Sequence, residues 1–224
     1  PLNNFGGIRR STALTYLSTA RKRPNLTIES NVMIHRLIFE GTQAVGIVGN
    51  RNGMEFSAES RQIVLTSGAV ESPLLLMRSG IGPADQLQNL GIPLIKDSPG
   101  VGENLRNHPL VFIQRHLKST EKIKPRPSQV FLRYTATNSL FRGDMSIAPI
   151  DDGYDEGQRF ARFYIALWRP LSSGKVTILS QDPDVPPLLD YQYLTQEFDV
   201  QRMKEGILKA IDLTSSYACK DLLG

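Results

Sequence analysis

The residues with the most pointed chemistry lie in the run Gly68-Ala69-Val70-Glu71-Ser72-Pro73-Leu74-Leu75-Leu76-Met77-Arg78-Ser79-Gly80-Ile81-Gly82, directly after the apolar stretch Ile63-Val64-Leu65. Read by residue type, a strand stops there at a small-residue turn and restarts as an apolar helix capped by Ser72-Pro73. Such a junction leaves the first helical N–H groups without intrahelical acceptors and sets the positive helix end at the carboxyl edge of a sheet. Phosphates and nucleotides are held at places of this kind. A glycine at the turn serves either of two ends, a tight change of direction or the close approach of a ligand to the backbone.

Other reactive residue types lack the spacing their chemistry needs. Ser72 precedes proline and has no Gly-x-Ser-x-Gly elbow around it. Asp151, Asp152, Asp155 and Glu156 are clustered without the spacing of a calcium loop and read as a solvated turn. His108 and His116 are not at a helical metal-binding interval, and His35 lies in a strand-like run. No catalytic residue and no metal site is assigned.

The elements that must position the Gly68 turn follow from periodicity and breakers. Ser11 caps a helix running to about Arg21, with Leu14, Leu17 and Ala20 on one face and Pro24 as its stop. Strand-like runs follow at Leu26 to Ser30, Ile34 to Phe39, Ala44 to Val48 and Met54 to Ala58. The turn Asn50-Arg51-Asn52-Gly53 makes the last two a hairpin, and the resulting antiparallel meander feeds a strand from Gln62 to Thr66. Beyond the signature run, Pro83 opens a short helix carrying Leu87 and Leu90 that Gly91 ends.

The turn-rich stretch from Ser98 to Pro109 reads as a boundary. After it come strands at Leu110 to Leu117, Gln129 to Tyr134, Ser146 to Ile150, Arg162 to Trp168 and Lys175 to Leu179. Lys118 to Ser128, polar with two prolines, reads as a mobile loop or lid. From about Glu197 a last helix puts Val200, Met203, Ile207, Ile211 and Thr214 on one stripe. Trp168, Phe163, Tyr164 and Phe131 are candidates to line an apolar cavity.

With 224 residues, 40% of them hydrophobic, the chain has material for one or two globular domains and is not disordered. No apolar run is long enough to cross a bilayer as a helix. The single cysteine, Cys219, excludes an internal disulfide and suits a reducing cytoplasm. The formal net charge is +4, and Arg9, Arg10, Arg21, Lys22 and Arg23 precede the first acid, Glu29. Without interleaved aromatics or a nucleic-acid motif, this basic stretch reads as a solvated helix face, and no nucleic-acid partner is expected.

The order of residues is more specific than these physical readings. Gly68-Ala69, Ser72-Pro73, Leu76-Met77 and Ser79-Gly80-Ile81-Gly82 fill every constrained position of a signature in the glucose-methanol-choline (GMC) family of flavoprotein alcohol oxidoreductases, which this chain resembles. The resemblance continues upstream through Arg10-Ser11-Thr12-Ala13, Arg23-Pro24-Asn25-Leu26-Thr27-Ile28 and Phe39-Glu40-Gly41. Downstream it runs through Pro99-Gly100-Val101-Gly102-Glu103-Asn104-Leu105, Asn107-His108-Pro109, Arg169-Pro170, Asp182-Pro183 and Tyr193-Leu194, and it is weakest from Lys118 to Arg162.

The resemblance implies an α+β chain: the α/β part of a flavin-binding domain with a β-meander, then a substrate domain on an antiparallel sheet with flanking helices. Residues 1–107 would be the second part of the FAD-binding domain and residues 108–224 a substrate-binding domain incomplete at its C-terminus. FAD is the implied cofactor. Ile34 would meet the adenine through its backbone, and Ser67 and Gly68 would lie against the adenosine half. The implied partner is a small-molecule alcohol whose carbinol hydride passes to the flavin, with oxygen or another acceptor taking the electrons.

Two family parts do not occur in these residues: the Gly-x-Gly-x-x-Gly turn and the segment with the catalytic histidine. The chain is therefore expected to be an interior portion of such an enzyme, inactive alone, or alternatively a non-catalytic binding protein on the same scaffold. Where the family usually has aspartate before its histidine, this chain has Asn107, and His108 is expected to be a hydrogen-bonded structural residue.

Overall fold

The computed structural model describes residues 4–118, 130–155 and 158–223. They fall into two compact units, Pro1–Leu65 and Thr66–Gly224. The first holds an antiparallel pair, β1 (Asn4–Phe5) and β2 (Ile8–Arg9), a short helix α1 (Tyr16–Ala20), and the meander β3 (Val32–Glu40), β4 (Gln43–Arg51) and β5 (Met54–Glu59). Arg51 pairs with Met54 across Asn52 (φ 52°) and Gly53 (φ 84°), the two left-handed residues that a two-residue hairpin demands, and the Gly53 N–H donates to Asn50 Oδ1 at 2.7 Å.

Three expectations for this part fail. The helix expected from Ser11 begins only at Tyr16: the Ser11 carbonyl accepts from the Leu14 and Thr15 amides and from the Thr15 hydroxyl, so the chain turns locally first. No residue of α1 is fully buried: Leu17 and Ala20 are half-buried and Leu14 is 51% exposed, so the expected apolar face is covered only in part. Leu26 to Ser30 and Gln62 to Thr66 are not strands, because neither acquires a ladder partner among the described residues.

The second unit begins with α2 (Gly68–Arg78), then β6 (Ile81–Gly82), α3 (Ala84–Asn89), β7 (Lys96–Asp97) and β8 (Glu103–Leu105). It continues with β9 (Leu110–His116), β10 (Leu132–Tyr134), β11 (Met145–Asp155), β12 (Gln158–Leu167), β13 (Gly174–Thr177), β14 (Leu188–Asp190) and α4 (Glu197–Ser215), and closes on a 3₁₀ turn at Tyr217–Cys219. Two sheets matter here. The larger is antiparallel with the order β10-β11-β12-β9, and the smaller has the order β14-β13-β8. Together with the meander they make the chain α+β, as expected from its sequence.

Each sheet has its own core. Leu74 and Met77 of α2 meet Leu87 of α3, Ile92, Leu105 of β8, Val176 of β13 and Ile178. The turn-rich stretch before Pro109 is thus stitched into this core by β8 instead of hanging between modules. The second core joins Met145 and Ile147 of β11, Ile165 and Leu167 of β12, Ala136, and Met203 and Ala210 of α4. The acidic residues Asp151 to Asp155 continue β11 rather than forming a turn, while Glu156 lies outside the described residues, as does nearly all of the Lys118 to Ser128 loop.

Helix α4 presents the expected stripe in part, with Val200 and Ile207 half-buried and Ile207 packed against the core, and extends its buried face to Asp199 and Arg202. Asp199, Arg202, Met203, Gly206, Ala210 and Thr214 are buried, and Ile211 is 39% exposed. Small residues face the sheet: a Cβ on Gly206 would stand 2.6 Å from Ile165 Cγ2 and 2.7 Å from Met145 Cε.

Candidate functional site

Helix α2 starts at Gly68, four residues before the expected Ser72-Pro73 cap, and Pro73 lies inside it. Proline has no N–H to offer the Ala69 carbonyl one turn back, yet so near the start the helix tolerates the loss. Ser67 is the N-cap and makes no side-chain capping bond. The leading N–H groups therefore keep their hydrogen-bonding capacity, as the residues from Thr66 to Ala69 are all exposed.

Gly68 has φ +91°, a conformation that side chains other than glycine's rarely adopt, and nothing lies within 4 Å of where its Cβ would be. Both readings of this glycine are thus met: the turn requires it, and the space above it admits a close-lying group. Donors, a positive helix end and open space fit a nucleotide moiety. Ile34, half-buried in β3 of the other unit, pairs with Gly49 just before the ladder shifts register between Ile34 and Arg36, the kind of irregularity that accompanies ligand sites.

Two clefts meet at His108. One, of about 270 Å³, is lined by Arg106, Asn107, His108, Phe141, Trp168 and the strap Arg169-Pro170-Leu171. The other, of about 410 Å³, is shared by His108, Leu110, Val111, Trp168, Tyr193 and Leu194 among others. Both approach the size of small-molecule pockets. The His108 ring is exposed and meets Trp168 edge to face, centroids 4.6 Å apart, while its backbone N–H donates to Asn107 Oδ1 at 2.9 Å. It is an aromatic contact at a cleft mouth rather than the hydrogen-bonded structural histidine expected.

Asn107 Nδ2 donates to the Tyr193 hydroxyl at 2.8 Å, and Tyr193 stacks on Tyr191 at 5.1 Å. The Trp168 indole donates to Ser146 Oγ at 2.7 Å and its backbone N–H to the Asp144 carbonyl at 2.8 Å, which fixes the shared wall. Of the four aromatic candidates for a cavity, Trp168 is the one that lines these clefts.

A buried ion cluster secures the wall from behind. Arg202, 1% exposed, donates through Nη1 to Asp144 Oδ2 at 2.7 Å and through Nη2 to Asp199 Oδ1 at 2.6 Å and the Arg169 carbonyl at 3.1 Å. Asp144 also accepts from the Ala136 amide and the Ser139 hydroxyl, and Asp199 from the Leu171 and Ser172 amides. Burial pushes both carboxyls up, but these hydrogen bonds and the guanidinium outweigh it and hold both below the ordinary carboxylate value. Because every charge is partnered, the strap at Arg169 to Ser172 and the loop from Ala136 to Asp144 are tied to one helix.

Sequence reasoning missed this cluster. The signal was present as Asp199 and Arg202 spaced three apart on α4 beside the expected apolar stripe, which would have required treating charges as buried.

Comparison with known proteins agrees with this architecture. The GMC oxidoreductase N-terminal profile matches residues 2–110 and its C-terminal counterpart matches residues 170–220. An uncharacterized GMC-type oxidoreductase from the thcA 5′ region of Rhodococcus erythropolis is 33% identical over 97% of the chain and 44% of its own length. An oxygen-dependent choline dehydrogenase of Paraburkholderia phytofirmans is 32% identical over 90% of the chain and 41% of its own length. The crystal structure of pyridoxine 4-oxidase from Mesorbium loti superposes with a TM-score of 0.87 at 25% identity, covering 99% of the chain and 46% of that protein. The chain belongs to the GMC oxidoreductase family, and it spans less than half the length of these relatives.

Proposed function

We propose that the whole protein containing these residues is an FAD-dependent oxidoreductase acting on the CH–OH group of a small alcohol, in the manner of a choline dehydrogenase or an aryl or primary alcohol oxidase. The observation that carries the reading is the uncapped start of α2, where an obligatory glycine leaves room for a close-lying group beside free donors. Family membership and the choline dehydrogenase and pyridoxine 4-oxidase relatives support it.

In this reading residues 1–107 belong to the flavin-binding domain and residues 108–224 to the substrate domain. The Ile34 backbone and the Ser67-Gly68 turn would hold the adenosine part of FAD, and the flavin, when bound, supplies the acceptor for the carbinol hydride. The residues around His108 would orient the alcohol and exclude water from it. The 224 residues alone are expected to be inactive, since none of them is assigned the alcohol's proton. A single cysteine supports a cytoplasmic location. Among the described residues, no helix is long and apolar enough to cross a membrane.

The test is the visible spectrum of the purified full-length protein, followed under anaerobic conditions with a panel of alcohols. Flavin bands bleached by at least one alcohol are expected. Gly68→Val should lower FAD retention on gel filtration. A colourless protein that FAD cannot reconstitute would overturn the proposal.

A further inference from the structure

We infer that the paired clefts around His108 select uncharged or anionic planar alcohols and turn away quaternary ammonium compounds, because hydrogen-bond donors and cations form their polar rim. The inference rests on the alcohol oxidoreductase reading and names the substrate class of that site.

The direction of one hydrogen bond decides the character of the second cleft. A backbone N–H can only donate, so the Asn107 atom that faces the His108 amide is its carbonyl Oδ1. The amide nitrogen is then the atom 2.8 Å from Tyr193, and the phenol oxygen accepts. The Tyr193 proton is thereby left for a different acceptor, and Tyr193 lines the cleft. An aspartate at position 107 would reverse this: its carboxylate would take the phenol proton for itself and add a negative charge to the rim.

The first cleft has the same bias from another source. Arg106 and Arg169 both line it, with the Arg106 guanidinium at hydrogen-bond range, 3.5 Å, from the Pro170 carbonyl. No carboxylate is among the described residues lining either cleft. An indole face attracts cations, but the Arg106 guanidinium, held at the cleft-lining Pro170, opposes that attraction. The walls, Trp168 held by Ser146, Phe141, Leu171 and Leu194, are flat or apolar and suit a ring. The ligand chemistry that satisfies all of these is a planar apolar body bearing a hydrogen-bond acceptor.

Two unreactive probes of similar size separate the possibilities in calorimetric titrations of the flavin-loaded full-length protein: benzoate and benzyltrimethylammonium. Benzoate should bind at least about tenfold more tightly, the ratio expected when a charge-assisted hydrogen bond is gained on one side only. Asn107→Asp should narrow or invert that ratio, and Tyr193→Phe should weaken benzoate by about tenfold while leaving the ammonium unchanged. Tyr193 is 43% exposed, so its variant loses little packing. Equal or tighter binding of the ammonium, no binding of benzoate, or an Asn107→Asp protein with the wild-type ratio would each overturn the inference. Failure of the oxidoreductase reading is seen separately, as flavin that no alcohol bleaches.

Discussion

Within the second unit, two cores of similar size are built on opposite principles. The core of α2, α3, β8 and β13 is hydrocarbon throughout, whereas the core under α4 surrounds an arginine and two aspartates. Apolar packing is tolerant: side chains of similar volume exchange at modest cost. A buried, fully partnered ion cluster is not, since removing any member strands the others. The tolerant core carries the helix whose start offers backbone donors. The intolerant one carries Trp168, the strap at Arg169 to Leu171, and with them the shape of the clefts, so geometry is most rigidly specified where the clefts take their outline.

The sharpest way to break this contrast is Arg202→Met, which leaves two carboxylates buried without their cation. It should cost about 3–5 kcal/mol in thermal or urea unfolding of the full-length protein. A loss below about 1 kcal/mol would mean that the cluster is hydrated and the contrast false. Gly102→Ala probes the hydrocarbon side at its backbone. Gly102 has φ +91°, and a Cβ there would stand 2.4 Å from the Val176 carbonyl, so about 2–3 kcal/mol should be lost. An alanine protein with unchanged unfolding would show that β8 and β13 part without penalty.

Acid separates the two cores without mutation. Asp144 and Asp199 are held below the ordinary carboxylate value, so their contribution is complete above the unfolded-state pKa of about 4 and is lost as pH falls below it. The melting temperature should fall progressively as pH drops below about 5, and the fall should shrink in Asp199→Asn. A drop of the same size in both proteins would assign acid lability to other carboxyls. The smallest effect is expected at Tyr134, whose hydroxyl is buried without a hydrogen-bond partner among the described residues and whose pKa burial, then Glu205 and Asp144, push up to about 12. Tyr134→Phe removes an unpaired polar atom and should raise stability by about 1 kcal/mol. Destabilisation would reveal a water bound there.

What was legible in the sequence follows the range of the interactions involved. The hairpin at Asn52-Gly53 was readable because two adjacent residues carry its geometry. Beta strands from Leu110 onward were readable from alternation, although β14 was not singled out. The start of α2 was misread because Ser-Pro is a local helix-start signal, while the actual start depends on Gly68 turning the chain through a positive φ. On α4 the apolar stripe was rotated because the partners that let Arg202 and Asp199 be buried, Asp144, Arg169, Leu171 and Ser172, lie far away in sequence. The clefts were the least legible feature, since they assemble from Asn107-His108, Trp168-Leu171 and Tyr193-Leu194, and no pattern in one segment announces its meeting with the others.

Trp168 has a use apart from shape. It is the only tryptophan in the 224 residues, its indole is clamped to Ser146, and one ring forms a wall of both clefts. An indole so placed is a built-in optical gauge: its emission colour and intensity follow how dry and how crowded its surroundings are. Occupancy of either cleft is thereby written into the ultraviolet fluorescence of this segment, with no label to attach and no turnover to wait for.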